Sequence, residues 1–155
     1  VEKHSVIVDN KVKLYETFTK PEILLVEDNL ELRSFIKDHF DAEFNIFEAS
    51  NGLDALDILE KHKVKLIISD IMMPKMDGVT FCKEVKQSDK FKSIPFILLS
   101  AKYNVESQIE GAQSGADVYL SKPFSLEVLY LTVLNVLKTR KLIKEASIEK
   151  FIPMI

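Results

Sequence analysis

Four short apolar runs in this chain each close on a polar residue. Ile23-Leu24-Leu25-Val26 ends at Glu27 and Asp28, and Leu66-Ile67-Ile68-Ser69 ends at Asp70. Phe96-Ile97-Leu98-Leu99 ends at Ser100, and Val118-Tyr119-Leu120 is followed by Ser121 and Lys122, with Pro123 next. The set comprises three acids, a hydroxyl and an amine. Three carboxylates brought to one point repel, and each raises the others' pKa unless a cation neutralises them. Hard oxygen donors select Mg²⁺, with Mn²⁺ accepted by the same ligand type. Asp28 and Asp70 are expected as direct ligands, the backbone carbonyl of Met72 as a third, and Glu27 as a ligand through water. Asp70 adjoins a loop and is the natural nucleophile toward a phosphoryl group. Phosphoryl transfer needs alignment and charge neutralisation more than covalent help. Lys122 supplies a movable point charge for phosphate oxygens. The Ser100 hydroxyl can donate to another oxygen, and the small Ala101 leaves room for the group to enter.

Taken singly, each residue has a blander reading. An Asp at a strand end usually serves a turn or cap, and a Lys before Pro is usually solvated. The joint pattern is what points to chemistry, because every member falls at the end of a strand-like run.

The elements that must position these residues alternate from Pro21 onward. Strands are expected at about 22–27, 44–49, 66–70, 95–100 and 117–121. A helix at about 29–40 carries Leu32, Phe35, Ile36 and Phe40 on one face, and the next is striped by Ala55, Leu56 and Leu59. Pro74 blocks helix continuation after the third strand. Asp77 caps a helix bearing Val79, Cys82 and Val85. A weaker helix spans about 105–114, with Gly111 inside it and few large apolar residues beyond Val105 and Ile109, and it stops at Gly115. Ser125 caps a long helix with Leu126, Leu129, Val133 and Leu137 on one face. Alternation of this kind indicates an α/β fold, a doubly wound (βα)5 unit on a five-stranded parallel sheet. Right-handed crossovers place all strand C-termini at one edge, where ligands of such sheets bind.

Composition agrees with one domain flanked by arms. The chain has 155 residues, 46% hydrophobic, and a formal net charge of −3. Nothing in that balance points to nucleic acid, which demands a basic patch. The basic cluster Lys138-Thr139-Arg140-Lys141, with Lys144, reads as a solvated helix face. Cys82 is the single cysteine, so no internal disulfide forms, and its helical spacing marks it as a small buried hydrophobe. No apolar run approaches a membrane span, no signal peptide is visible, and a cytoplasmic setting fits. Residues 1–20 read as an arm or linker, with a small hairpin over Val6–Leu14 as one arrangement, and His4 as an ordinary surface residue. Residues 21–138 form the domain, and 139–155 a helical extension. The chain opens on Val1 rather than Met, which fits a piece of a longer protein.

The motifs Leu24-Leu25-Val26-Glu27-Asp28-Asn29, Ser69-Asp70-Ile71-Met72-Met73-Pro74-Lys75-Met76-Asp77-Gly78, Leu99-Ser100-Ala101-Lys102 and Gly115-Ala116-Asp117-Val118-Tyr119-Leu120-Ser121-Lys122-Pro123-Phe124 resemble the receiver domain of two-component response regulators. The resemblance covers about residues 21–137. It implies the flavodoxin-like strand order 2-1-3-4-5, for which the receiver fold is itself a standard example. It also implies phosphorylation of Asp70 by a histidine-kinase phosphohistidine with Mg²⁺, and a cis bond between Lys122 and Pro123. A switch in which Ser100 moves toward the phosphoryl oxygens and Tyr119 turns inward follows from the same resemblance. So does readout, or homodimerisation, through the fourth helix, fifth strand and fifth helix, toward an output domain such as a transcription regulator or within a hybrid kinase. Such a domain is a signalling element rather than an enzyme and catalyses only its own phosphorylation and dephosphorylation. Met72 and Lys102 flank the path of an attacking water.

Three other classes stand against this reading. An aspartyl-phosphate-type phosphatase typically carries an acid two residues past its nucleophile, where this chain has Met72. A nucleotide or flavin domain needs a Gly-rich loop after the first strand, where Glu27-Asp28-Asn29 would repel an anion. A pseudo-receiver that only docks partners is disfavoured by the complete set of acids, Ser100 and Lys122. The segment has no identifiable DNA-recognition helix.

Overall fold

The computed structural model describes the backbone of residues 20–101 and 105–151, with side chains except at 105–107 and 142–151. The expectations for residues 1–19, His4 included, and for Lys102 lie outside the described residues. Along the chain run β1 (Glu22–Val26), α1 (Leu30–Phe40), β2 (Asn45–Ala49), α2 (Gly52–Lys61), β3 (Leu66–Asp70), α3 (Gly78–Gln87), β4 (Phe96–Ser100), α4 (Val105–Gln113), β5 (Val118–Ser121) and α5 (Leu126–Phe151). The strands form one sheet in the order β2-β1-β3-β4-β5, every neighbouring pair parallel. This is the doubly wound α/β architecture expected from the alternation of elements, with the strand order that the resemblance implied.

The burial explains the sequence pattern. All residues of β3 and β4 and all but the first of β1 are buried, so these strands read as unbroken apolar runs rather than alternations. The edge strand β5 is half-buried throughout. Alternate strand residues enter two cores. Leu24, Val26, Ile67, Phe96 and Leu98 pack with Ala55, Leu59, Val79, Phe81, Cys82 and Val85 of α2 and α3. Ile23, Leu25, Leu66, Ile68, Ile97 and Leu99 pack on the opposite face with Ile36 and Phe40 of α1 and Leu129 and Val133 of α5.

Helix starts follow the cap residues. Asn29, Asn51 and Asp77 accept from the backbone N–H three residues on, at 3.0, 2.9 and 2.8 Å, and Ser125 Oγ accepts from Val128 N at 3.0 Å. Gly115, with φ +89°, makes the left-handed turn after α4. One expectation changes: Phe35 is 61% exposed and does not share the buried stripe of Ile36 and Phe40. In the basic cluster Lys138, Thr139 and Lys141 are exposed, and Arg140 adds an ion pair to Asp117 at 3.5 Å. Asp117 also accepts from Lys86 Nζ and from the Phe96 amide, both at 2.8 Å, and so ties α3, β4 and α5 together at the start of β5.

Phe81 is fully buried between α3 and the sheet, its ring centroid 5.4 Å from that of Phe96. Phe81→Ala is expected to lower unfolding free energy by about 3–5 kcal/mol, read from urea denaturation. A loss below about 1 kcal/mol would mean that this core collapses around the cavity.

Candidate functional site

The parallel register brings the polar strand ends to one edge. Val26 pairs with Ser69, Asp70 with Leu99, and Ser100 with Ser121. Glu27, just past β1, keeps one more ladder bond, its amide donating to the Ala49 carbonyl at 3.0 Å. Carboxylate oxygens of Glu27, Asp28 and Asp70 lie within 4.8 Å of one another. Glu27 and Asp70 are buried and Asp28 is exposed. Lys122 Nζ approaches Asp70 Oδ1 at 3.0 Å and Glu27 Oε2 at 3.7 Å. The Lys122–Pro123 bond is cis, and the Lys122 amide donates to the Ser100 carbonyl.

The acidic turn is braced from behind. The Asn29 amide donates to Glu27 Oε1 at 3.2 Å. Arg33 on α1 donates through Nη1 to the Glu27 carbonyl at 2.7 Å and through Nε to Glu48 at 3.1 Å. Arg33 was not singled out from the sequence. Helical spacing shows that a charge lies one turn into α1, but not that its fork reaches back to the strand end. Gly78 is a second such residue. Its amide donates to the Ile71 carbonyl at 2.8 Å, and a Cβ there would meet the Asp70 carbonyl oxygen at 2.0 Å. The loop after Asp70 can therefore fold back onto the strand only with glycine at that position.

The other expected residues fall around this cluster. Ser100 is buried at the end of β4, beside the Asp70 strand. Met72 is two residues beyond Asp70 with its side chain 57% exposed. Tyr119, on β5, is placed with its ring against Gly111 of α4 and its hydroxyl buried. Cys82 is fully buried, as its spacing indicated, and burial pushes its thiol pKa up.

The electrostatics of the cluster are unbalanced. Burial, with Asp70 and then Asp28 adding repulsion, raises Glu27 from 4.5 to about 7, against the pull of Lys122 and the Asn29 amide. Its Oε2 is buried with no hydrogen-bond donor among the described residues. Three clustered oxygen donors, one of them lacking a donor, fit a hard divalent cation.

The chain belongs to the response regulator receiver domain family, whose model matches residues 23–134. It is thus a receiver domain of the two-component signalling type, as its motifs indicated. It is 41% identical over 125 residues to Histidine kinase P4 of Formosa agariphila, an alignment covering 81% of this chain and 9% of that protein. It is 38% identical over 129 residues to the probable transcriptional regulator ycf29 of Pyropia yezoensis, covering 83% of this chain and 58% of the relative. The chain therefore spans less than two thirds of either protein. The solved receiver domain of Francisella response regulator 1452 is 34% identical with a TM-score of 0.70, covering 79% of this chain and 99% of that one. No helix among the described residues is long and apolar enough to cross a membrane.

The Glu27 shift has a definite sign. Below pH 4.5 the carboxyl is protonated both folded and unfolded. Between 4.5 and about 7 only the unfolded chain releases the proton, so stability of the metal-free protein falls across that window and then levels. The expected loss is on the order of 3 kcal/mol. Urea midpoints measured from pH 4.5 to 8 in chelator should show this slope in the native sequence and a flatter profile in Glu27→Gln. Identical profiles for the two proteins would remove Glu27 as its source.

Proposed function

We propose that this domain is a phosphoacceptor whose Asp70 takes a phosphoryl group from the phosphohistidine of a histidine kinase. The approach of Lys122 Nζ to Asp70 at 3.0 Å, within a cluster of three acids, carries the reading. An Asp70 carboxylate oxygen attacks phosphorus, the P–N bond to the donor imidazole breaks, and the imidazole leaves with the bonding pair and takes a proton. Asp28, Asp70 and the Met72 carbonyl would hold Mg²⁺, or Mn²⁺, with Glu27 acting through water. When bound, the ion supplies neutralisation of the acids and of the incoming phosphate. Lys122 then exchanges part of its contact with Asp70 for the phosphoryl oxygens, and the Ser100 hydroxyl donates to another of them.

Ser100 and Tyr119 carry the response outward. An aspartyl phosphate adds charge and acceptor oxygens that engage Ser100 and Lys122, so it biases any equilibrium in which those groups have two positions. Tyr119, whose ring lies inward against Gly111, couples that change to the face formed by α4, β5 and α5 when its inward position is favoured. Ile109 of α4 and Val128 and Leu131 of α5 present exposed apolar surface, in keeping with a second copy or an output domain there. The partners are accordingly a cytoplasmic histidine kinase and whatever module accompanies this domain, with neither nucleic acid nor membrane contacted by this segment. Met72 stands where a phosphatase of related chemistry carries its general acid, so turnover of external substrates is not proposed. The domain acts only on its own phosphoryl group.

The decisive experiment is intact-mass measurement after incubation with Mg²⁺ and acetyl phosphate. One phosphoryl group is expected on the native sequence, and none on Asp70→Asn or in chelator. Addition to Asp70→Asn at the native level would overturn the assignment. A receiver limited to its kinase would take no group from acetyl phosphate but would take one from a phosphohistidine donor. Failure with both donors would leave a docking module.

Met72 tunes the reverse step. Its apolar side chain beside the acceptor offers no hydrogen bond to an attacking water. Met72→Asn is expected to shorten the lifetime of the aspartyl phosphate several-fold, followed by loss of the mass increment after donor removal. An unchanged lifetime would show that Met72 does not shield the phosphoryl group.

A further inference from the structure

We propose that Gly111 seats the ring of Tyr119, making this helix residue the one that sets the balance of the switch. The inference rests on the reading of Tyr119 as a switch residue. Among the described residues, the face that α4 and the residue after it turn toward the sheet is small. Gly111 and Ser114 are buried, whereas Gln108, Ile109, Glu110, Ala112 and Gln113 are exposed, Ile109 at 48%. With Ile109 outward and Gly111 inward, the described part of α4 leaves space toward the sheet. The occupant of that space is defined. A Cβ at Gly111 would meet Tyr119 Cε2 at 2.1 Å, Cδ2 at 2.3 Å and Cζ at 3.3 Å, and these are its three nearest neighbours. Glycine inside a helix is unfavourable relative to alanine, so the position is not explained by helix formation.

The seated ring is held by opposing effects. Its aromatic body packs against the core formed with α2 and α3, which favours the seat. Its hydroxyl is buried there with no hydrogen-bond partner among the described residues, which disfavours it. A tyrosine stabilised at one end and penalised at the other is suited to two positions of similar free energy. Its place on β5 connects that choice to the acids. Tyr119 pairs with Leu98 and is two residues before Ser121, the partner of Ser100. Strand alternation therefore points Tyr119, Leu98 and Ser100 to the same face of the sheet. Denying the seat should hinder any state that needs the ring inward, which in the proposed function is the phosphorylated one.

The test labels the chain with 3-fluorotyrosine and records ¹⁹F spectra. The sequence has four tyrosines, and the Tyr119 line is assigned by its disappearance in Tyr119→Phe. Gly111→Ala is expected to move that line toward the position seen in denaturant, and to slow phosphorylation by acetyl phosphate about tenfold. In a Tyr119→Ala background the same substitution should leave the phosphorylation rate unchanged. An unmoved Tyr119 line in folded Gly111→Ala, or an equal slowing with and without the ring, would overturn the proposal. If Gly111→Ala alone does not fold, recovery of folding in Gly111→Ala/Tyr119→Ala supports the seat, and failure of that double variant overturns it. Absence of phosphorylation in the native sequence with both acetyl phosphate and a phosphohistidine donor would sink the phosphoacceptor reading instead, while the spectra and the folding comparison would still decide the seat.

Discussion

Negative charge gathered at one end of the sheet, facing a single nearby ammonium, is the constraint around which this domain is built. Glu27 and Asp70 are buried and Asp28 adjoins them, yet only Lys122 approaches the buried pair among the described residues. Such a cluster costs free energy, since each carboxylate is desolvated or repelled by the others. Hydrophobic burial on both faces of the sheet offsets it. The strands β1, β3 and β4 bury almost every residue, so packing fixes where they present Glu27, Asp28 and Asp70. The bracing of Glu27 by Arg33 and Asn29 keeps the repelling groups from moving apart. Strain of this kind belongs to a site prepared for a counter-charge.

A parallel sheet is well suited to that task. Its crossovers return every strand in the same direction, so residues distant in sequence share an edge without any long loop reaching across. The cost falls on the connections, which must turn sharply. Gly78 shows how tightly: the loop after Asp70 returns so close to the strand that a single methyl group would collide with the Asp70 carbonyl.

Much of this was legible because burial leaves a one-dimensional trace. Continuous apolar runs marked β1, β3 and β4, polar residues after them marked the edge where the acids meet, and Asn29, Asp77 and Ser125 marked helix starts. What escaped notice depends on the direction of side chains in space. Phe35 adjoins Ile36 in sequence and counts equally toward a hydrophobic stripe, yet it lies on the wet side of α1. Arg140 belongs to a basic cluster in sequence, but faces Asp117 in space. Gly111 read as a weakness in α4, because sequence records the missing side chain and not the ring that fills its place. Arg33 and Gly78 were hidden for the same reason, since one acts through a long side chain folded backward and the other through an atom it lacks.

The route from the acids to the outer face needs few parts. Lys122 touches Asp70 through its side chain and Ser100 through its amide, and it immediately precedes the turn into α5. Any group that draws the Lys122 ammonium away from Asp70 acts on a residue already bonded to the end of β4. One strand-width away, β5 carries the Tyr119 ring under α4. Close-packed interiors respond to such shifts by choosing between discrete arrangements rather than deforming gradually. In the proposed switch, Gly111 and Ser114, the small buried residues there among those described, make a second arrangement of the Tyr119 ring low in cost. In that switch the acids at the sheet edge store repulsion, and the small residues Gly111 and Ser114 supply space.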